Sequence, residues 1–169
     1  MKKILLVLLV FAALKVQAQS VSLNKAFSVG LELGIPSQSI YNIGFGGSGK
    51  AEVPIASPVS LTITAGYTSF YYKSALIGGG DRFPDAAGYV PLKGGAKVYL
   101  SRGVYAEAEG GAVLETNYAK KTLSAFSIGP GFLIPLKSDN QSIDFSLRYE
   151  RWSNNLKQTG IRVAYRFGW

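Results

Sequence analysis

The sequence predicts an all-β fold, an eight-stranded antiparallel up-and-down transmembrane β-barrel, and three observations predict it. The last ten residues alternate strictly, with Ile161, Val163, Tyr165, Phe167 and Trp169 on one face and Arg162, Ala164, Arg166 and Gly168 on the other. Side chains of a strand point alternately to opposite faces, so this stretch has one apolar and one polar side. The pattern recurs about eight times along the chain, the repeat expected of a barrel with lipid outside and polar groups inside. Beyond the first eighteen residues no apolar run is long enough for a membrane helix, so any spanning structure must be built from strands.

Residues 1–18 read as a cleavable signal peptide. Lys2 and Lys3 form a positive start, Ile4 to Leu14 is an unbroken apolar run, and Val16-Gln17-Ala18 supplies small residues before a cut. An eleven-residue run is too short to span a bilayer, which takes about 20 residues as a helix. Residues 19–169 then form one domain, the barrel itself. Loss of Lys2, Lys3 and Lys15 takes the net charge from +8 to +5, because all ten acids lie in the mature part. For an exported chain that surplus points to anionic lipid headgroups rather than nucleic acid.

The strands follow in order. The first, Ala26 to Ile35, turns Phe27, Val29, Leu31, Leu33 and Ile35 outward and Ser28, Gly30, Glu32 and Gly34 inward. The second, Ile40 to Val53, sets Tyr41, Ile43, Phe45, Ala51 and Val53 against inward Asn42, Ser48, Lys50 and Glu52, with a glycine-rich middle. The third, Val59 to Phe70, places Leu61, Ile63, Ala65 and Tyr67 over Ser60, Thr62, Thr64 and Thr68. After a long stretch from Tyr71 to Gly88, the fourth, Tyr89 to Leu100, faces Lys93, Lys97 and Tyr99 inward. A tight turn at Ser101-Arg102-Gly103 leads to the fifth, Val104 to Glu115, with Tyr105, Glu107, Glu109 and Glu115 inside. The sixth, Leu123 to Ile134, exposes Phe126, Ile128, Phe132 and Ile134. The seventh, Ser142 to Arg151, opposes Ile143, Phe145, Leu147 and Tyr149 to Asp144, Ser146, Arg148 and Glu150, and the eighth closes the chain.

An even strand count puts both chain ends on one side, the periplasmic side in this topology, with short turns there and longer connections outside. Aromatic residues sort into two belts, where amphipathic rings favour the membrane–water interfaces. Tyr41, Tyr67, Tyr71, Tyr72, Tyr89, Tyr118, Phe126, Tyr149 and Trp152 fall at the outer rim, and Phe27, Phe132, Phe145, Phe167 and Trp169 at the inner. Pro130 conflicts with a closed ladder, since it lacks an N–H, and it predicts a bulge or a displaced strand end.

The inward face holds seven acids, Glu32, Glu52, Glu107, Glu109, Glu115, Asp144 and Glu150, and six bases, Lys50, Lys93, Lys97, Arg148, Arg162 and Arg166. Near-equal numbers predict mutual neutralisation, and an eight-stranded barrel is just wide enough for its side chains to fill. Pairing across Arg102 sets Lys97 opposite Glu107 and Tyr99 opposite Tyr105, and a similar register sets Asp144 beside Arg166. The alternative is a narrow hydrated pore through gaps left by inward glycines (Gly30, Gly34, Gly44, Gly46, Gly95 and Gly111), with the same charges as its lining.

The chain has no cysteine and no histidine, which removes disulfides, thiolate nucleophiles, the commonest general base and the commonest metal ligand. A Ser-His-Asp hydrolase is excluded, and Glu107 with Glu109 lacks any partner constellation. The segment Gly44 to Lys50 lacks the spacing and the following helix of a phosphate loop. No catalytic residue, cofactor or metal is therefore expected. The surface loops carry a basic excess beside the aromatic rim, and Asp81, Arg82, Phe83 and Asp85 are the best candidates for a specific loop contact.

The signal segment, the hairpin Tyr89-Val90-Pro91-Leu92-Lys93…Val98-Tyr99-Leu100 with Gly103-Val104-Tyr105-Ala106-Glu107…Gly110-Gly111, and the aromatic-terminated last strand together resemble the small outer-membrane β-barrel domain family. That porin-like group includes the OmpA/OmpX type of barrel. The resemblance implies residence in the outer membrane of a Gram-negative-type envelope, contact with its lipid, and recognition of the last strand by the barrel-assembly machinery. Members serve as adhesins, envelope stabilisers, small pores or lipid-modifying enzymes, and no catalytic residues of the enzymatic members map here. The expected function is that of a non-enzymatic monomer acting through its surface loops, in binding or envelope integrity. The alternative is a small-molecule transport barrel.

Overall fold

The computed structural model describes residues 24–37, 39–73, 85–136 and 140–169. Alternation of apolar and polar side chains builds eight strands: β1 (Ala26–Ser37), β2 (Tyr41–Ala56), β3 (Val59–Tyr72), β4 (Ala87–Ser101), β5 (Val104–Glu115), β6 (Thr122–Pro135), β7 (Gln141–Trp152) and β8 (Lys157–Gly168). Each pairs antiparallel with its sequence neighbours, and β1 pairs with β8 from Ala26↔Gly168 to Ser37↔Lys157 without a shift, so the sheet closes into a barrel. Closure leaves no edge strand.

The end at which β1 starts and β8 stops, the terminal end, carries the β2–β3, β4–β5 and β6–β7 connections. The β1–β2, β3–β4, β5–β6 and β7–β8 connections lie at the opposite, loop end. At the terminal end β2 runs on to Ala56, leaving only Ser57 and Pro58 as the turn, and Gly103 takes φ +85° in the β4–β5 turn, a conformation that side-chain-bearing residues resist.

The wall is apolar. Ile63 is 71% exposed and Leu31 61% exposed, while the opposite faces of the same strands bury Thr62, Thr64 and Glu32. Apolar side chains at the surface and charges at the centre invert the usual soluble arrangement.

Pro130 sits inside β6 without a bulge. The β5–β6 register is continuous through Ala106↔Pro130, and the β6–β7 partners stop at Ile128↔Tyr149 and resume in the same register at Gly131↔Ser146. The ring is thus accommodated by a local gap in one ladder, where a missing N–H costs no bond.

Two irregularities change side-chain direction. A register shift between Tyr41 and Ile43, opposite Tyr72 and Tyr71, flips the start of β2, so Tyr41 turns inward and is buried whereas Asn42 is exposed. The β7 ladder also extends one residue beyond Arg151, which carries Trp152 inside the barrel rather than into a loop. Tyr89 is buried as well. The loop-end aromatic belt on the wall is therefore smaller than the sequence suggests, made of Tyr67, Tyr71, Phe126 and Tyr149, with Tyr118 exposed on its loop. At the terminal end Phe132 and Phe145 stack at 4.9 Å, and Phe27 and Phe167 meet at 5.6 Å across the closing seam.

Candidate functional site

The barrel interior is occupied by charge. Eleven ion pairs join twelve residues into one chain in which acid and base alternate at every step. It begins at Glu107, which receives Lys50 Nζ at 2.5 Å; Lys50 also lies 3.3 Å from Glu109. Lys93 connects Glu109 (3.7 Å) to Glu150 (3.0 Å), and Arg148 connects Glu150 (3.2 Å) to Glu32. Arg162 continues from Glu32 (3.7 Å) to Asp144 (3.8 Å), and Lys97 from Asp144 (3.5 Å) to Glu52 (3.2 Å). The chain ends on Arg166, 3.4 Å from Glu52.

Neutral donors add to the carboxylate shells, although Glu107 Oε1, Glu109 Oε2 and Asp144 Oδ2 are buried without a hydrogen-bond partner. Thr64 Oγ1 and the Tyr99 and Tyr105 hydroxyls each donate at 2.5 Å, to Glu109, Glu52 and Asp144 respectively, and Trp152 Nε1 donates to Glu150 at 2.6 Å. Ser48 Oγ donates to Glu32 while accepting from Arg162 Nε at 2.9 Å. The Lys97 ammonium lies 4.1 Å from the centre of the Tyr105 ring, a cation–π contact. Such shells are what make charge tolerable away from water, because an unpaired buried ion costs several kcal/mol.

Twelve of the thirteen inward charges read from the sequence (Glu32, Lys50, Glu52, Lys93, Lys97, Glu107, Glu109, Asp144, Arg148, Glu150, Arg162 and Arg166) lie in this chain, and Glu115 does not. Their partners differ from the cross-strand expectation. Lys97 does face Glu107 in register and Tyr99 faces Tyr105. Lys97 nevertheless reaches to β2 and β7, and Glu107 to Lys50. Asp144 pairs in register with Ala164, so it is not beside Arg166, whose register partner is Ser142. Inside so narrow a barrel a long side chain meets strands across the bore as readily as its neighbour. Glu115 stands apart at the loop end, where its Oε2 accepts the Lys121 amide at 3.5 Å.

Above this chain, toward the loop end, lies an aromatic lid. Phe70, which is 0% exposed, makes edge contacts with Tyr89 (5.7 Å) and Trp152 (5.5 Å) and tilts against Tyr41 (5.3 Å). The Tyr41 and Tyr89 hydroxyls are hydrogen-bonded at 2.9 Å. Trp152, through its bond to Glu150, ties lid to ion chain. Two inward glycines lie against rings: a Cβ at Gly44 would lie 2.6 Å from the Phe70 ring, and one at Gly131 2.2 Å from the Tyr105 ring.

The loop end presents the remaining polar groups. Asn117 clamps the start of β4, with Nδ2 donating to Ala86 O (2.8 Å) and Oδ1 accepting from Gly88 N (2.9 Å). The Tyr118 hydroxyl donates to Asp85 O at 2.6 Å, so Asp85 is held through its backbone. Asp81, Arg82 and Phe83 lie outside the described residues. A cavity of ≈ 280 Å³ opens between the β1–β2 and β7–β8 turns, lined by Ser39, Ile40, Tyr41, Asn154, Asn155 and Leu156. Among the described residues no cluster of acids, histidines or cysteines is suited to a metal.

No family model matches the chain, and no curated protein matches it. Solved structures do. The crystal structure of Ail, the attachment invasion locus protein of Yersinia pestis, superposes with a TM-score of 0.57 at 16% identity, covering 85% of this chain and 99% of that one. Ail in complex with the heparin analogue sucrose octasulfate gives 0.53 at 16% identity, over 86% of this chain and 100% of the other. A de novo designed transmembrane β-barrel gives 0.53 at 13% identity, over 86% and 98%. At these identities the likeness is one of architecture. The chain has the fold of the small transmembrane barrels, a closed eight-stranded antiparallel β-barrel with an apolar wall.

Proposed function

We propose that this chain is a non-enzymatic, monomeric outer-membrane protein whose interior is a self-neutralised scaffold and whose function lies at the loop end, in binding or envelope integrity. The observation that carries the reading is the unbroken alternating ion chain beneath the aromatic lid. A charge already shared between two opposite partners is poorly placed to pass an ion or to act as an acid or base, since leaving its partners costs about 3–5 kcal/mol. The signal-like residues 1–18 and the fold shared with Ail support export to the outer membrane and a surface role. Outer-membrane lipid and the barrel-assembly machinery are the partners this location supplies.

The test is single-channel recording on the refolded chain from residue 19 in a planar bilayer, with heat-modifiable gel migration as the check of folding. A folded protein with a silent baseline is the expected result. Discrete, reproducible steps would instead identify a narrow pore lined by the interior charges.

A further inference from the structure

Only two charged residues occur on the outward face of the eight strands. Arg151 of β7 and Lys157 of β8 are register partners, side by side on the wall at its loop-end rim. Every other charge in the strands points into the bore. Residues directly opposite on an antiparallel pair hold their Cβ atoms about 5 Å apart, and like charges so placed repel. The flanking strands bring no relief, because Phe126 of β6 is the partner of Arg151 and Ser37 of β1 the partner of Lys157. None of the ion pairs among the described residues includes either cation. One register step lower lie Tyr149 and Thr159, then Leu147 and Ile161, where the apolar band begins.

We infer that Arg151 and Lys157 form a binding site for the phosphate headgroup of an anionic membrane lipid; the inference rests on the reading of the barrel as membrane-spanning. The position selects the ligand source. The pair faces the bilayer rather than the bore, at the height where aromatic rings and headgroups meet, so a counter-charge is delivered by lipid packed against the wall. Guanidinium and ammonium together suit a phosphate, which accepts several charge-assisted hydrogen bonds at once.

The test uses the folded chain in phosphatidylcholine nanodiscs doped with increasing phosphatidic acid, read by backbone amide NMR. Shifts at Arg151, Lys157 and Thr159 that saturate with dopant are expected. The double variant Arg151→Gln, Lys157→Gln should need at least about tenfold more dopant for the half-maximal shift. The control Lys120→Gln, Lys121→Gln, two exposed loop lysines, should match the parent. Equal responses in parent and double variant, or loss in the control, would overturn the site in favour of diffuse loop attraction. The same shifts produced by inorganic phosphate in undoped discs would overturn the lipid assignment. Heat-modifiable migration of each protein reports the barrel independently, so failure of the membrane reading and failure of the lipid site are told apart.

Discussion

At the scale of single residues, the interior shows why register alone does not give a partner. Exchange of Lys97 and Glu107 looks charge-conserving from the hairpin, yet it would set a carboxylate between Glu52 and Asp144 and an ammonium against Lys50. Each single change is expected to cost about 3–5 kcal/mol relative to the parent, and the double exchange Lys97→Glu, Glu107→Lys is expected to be less stable than either. Urea unfolding followed by tryptophan fluorescence measures it, and recovery in the double variant would show that the hairpin pair is the operative one. The same contrast marks what was legible in the sequence. Which residues point inward follows from parity, as it does for Glu32, Lys93 and Arg162. Whom they meet depends on the bore being narrow, which parity does not encode. Tyr41 was misread because one extra residue at a bulge inverts the phase. Trp152 was misread because Ser153-Asn154-Asn155 reads as a turn and its aromatic neighbour as a rim anchor.

At the scale of elements, the strands were visible wherever an apolar wall alternates with polar interior, and their ends were not. β8 begins at Lys157 rather than Gly160 because its first outward positions, Lys157 and Thr159, are polar, and nothing there alternates in hydropathy. The closing seam has its own chemistry. Glu32 is the one charged residue of β1, and it is held by Arg148 of β7 and Arg162 of β8. The ladder between β1 and β8 is thus reinforced from inside by two guanidinium groups. Glu32→Gln leaves both short of a partner and is expected to cost about 3 kcal/mol. Hydrogen exchange should then accelerate first at the β1–β8 amides. An even rise over all eight strands would refute a seam-specific role.

At the scale of the whole molecule, two layers lie in series along the bore, the aromatic lid and the ion chain, and the proposed function makes both of them seals. Phe70→Ala removes the centre of the lid and, as a large-to-small change in a packed site, should lower stability by about 3–5 kcal/mol. Conductance should stay at baseline, because the ion chain beneath is intact; steps in Phe70→Ala alone would assign the seal to the lid. The same arrangement governs how the protein can enter a bilayer. No helix among the described residues is long and apolar enough to cross a membrane. A strand such as β5, carrying Glu107 and Glu109 toward lipid, would expose both unpaired charges and a row of unbonded peptide groups. Its charges find Lys50 on β2 and Lys93 on β4 only once several strands stand around a common bore. Strands cannot therefore be threaded through lipid one at a time and assembled afterwards: crossing the membrane and closing the ring are a single event.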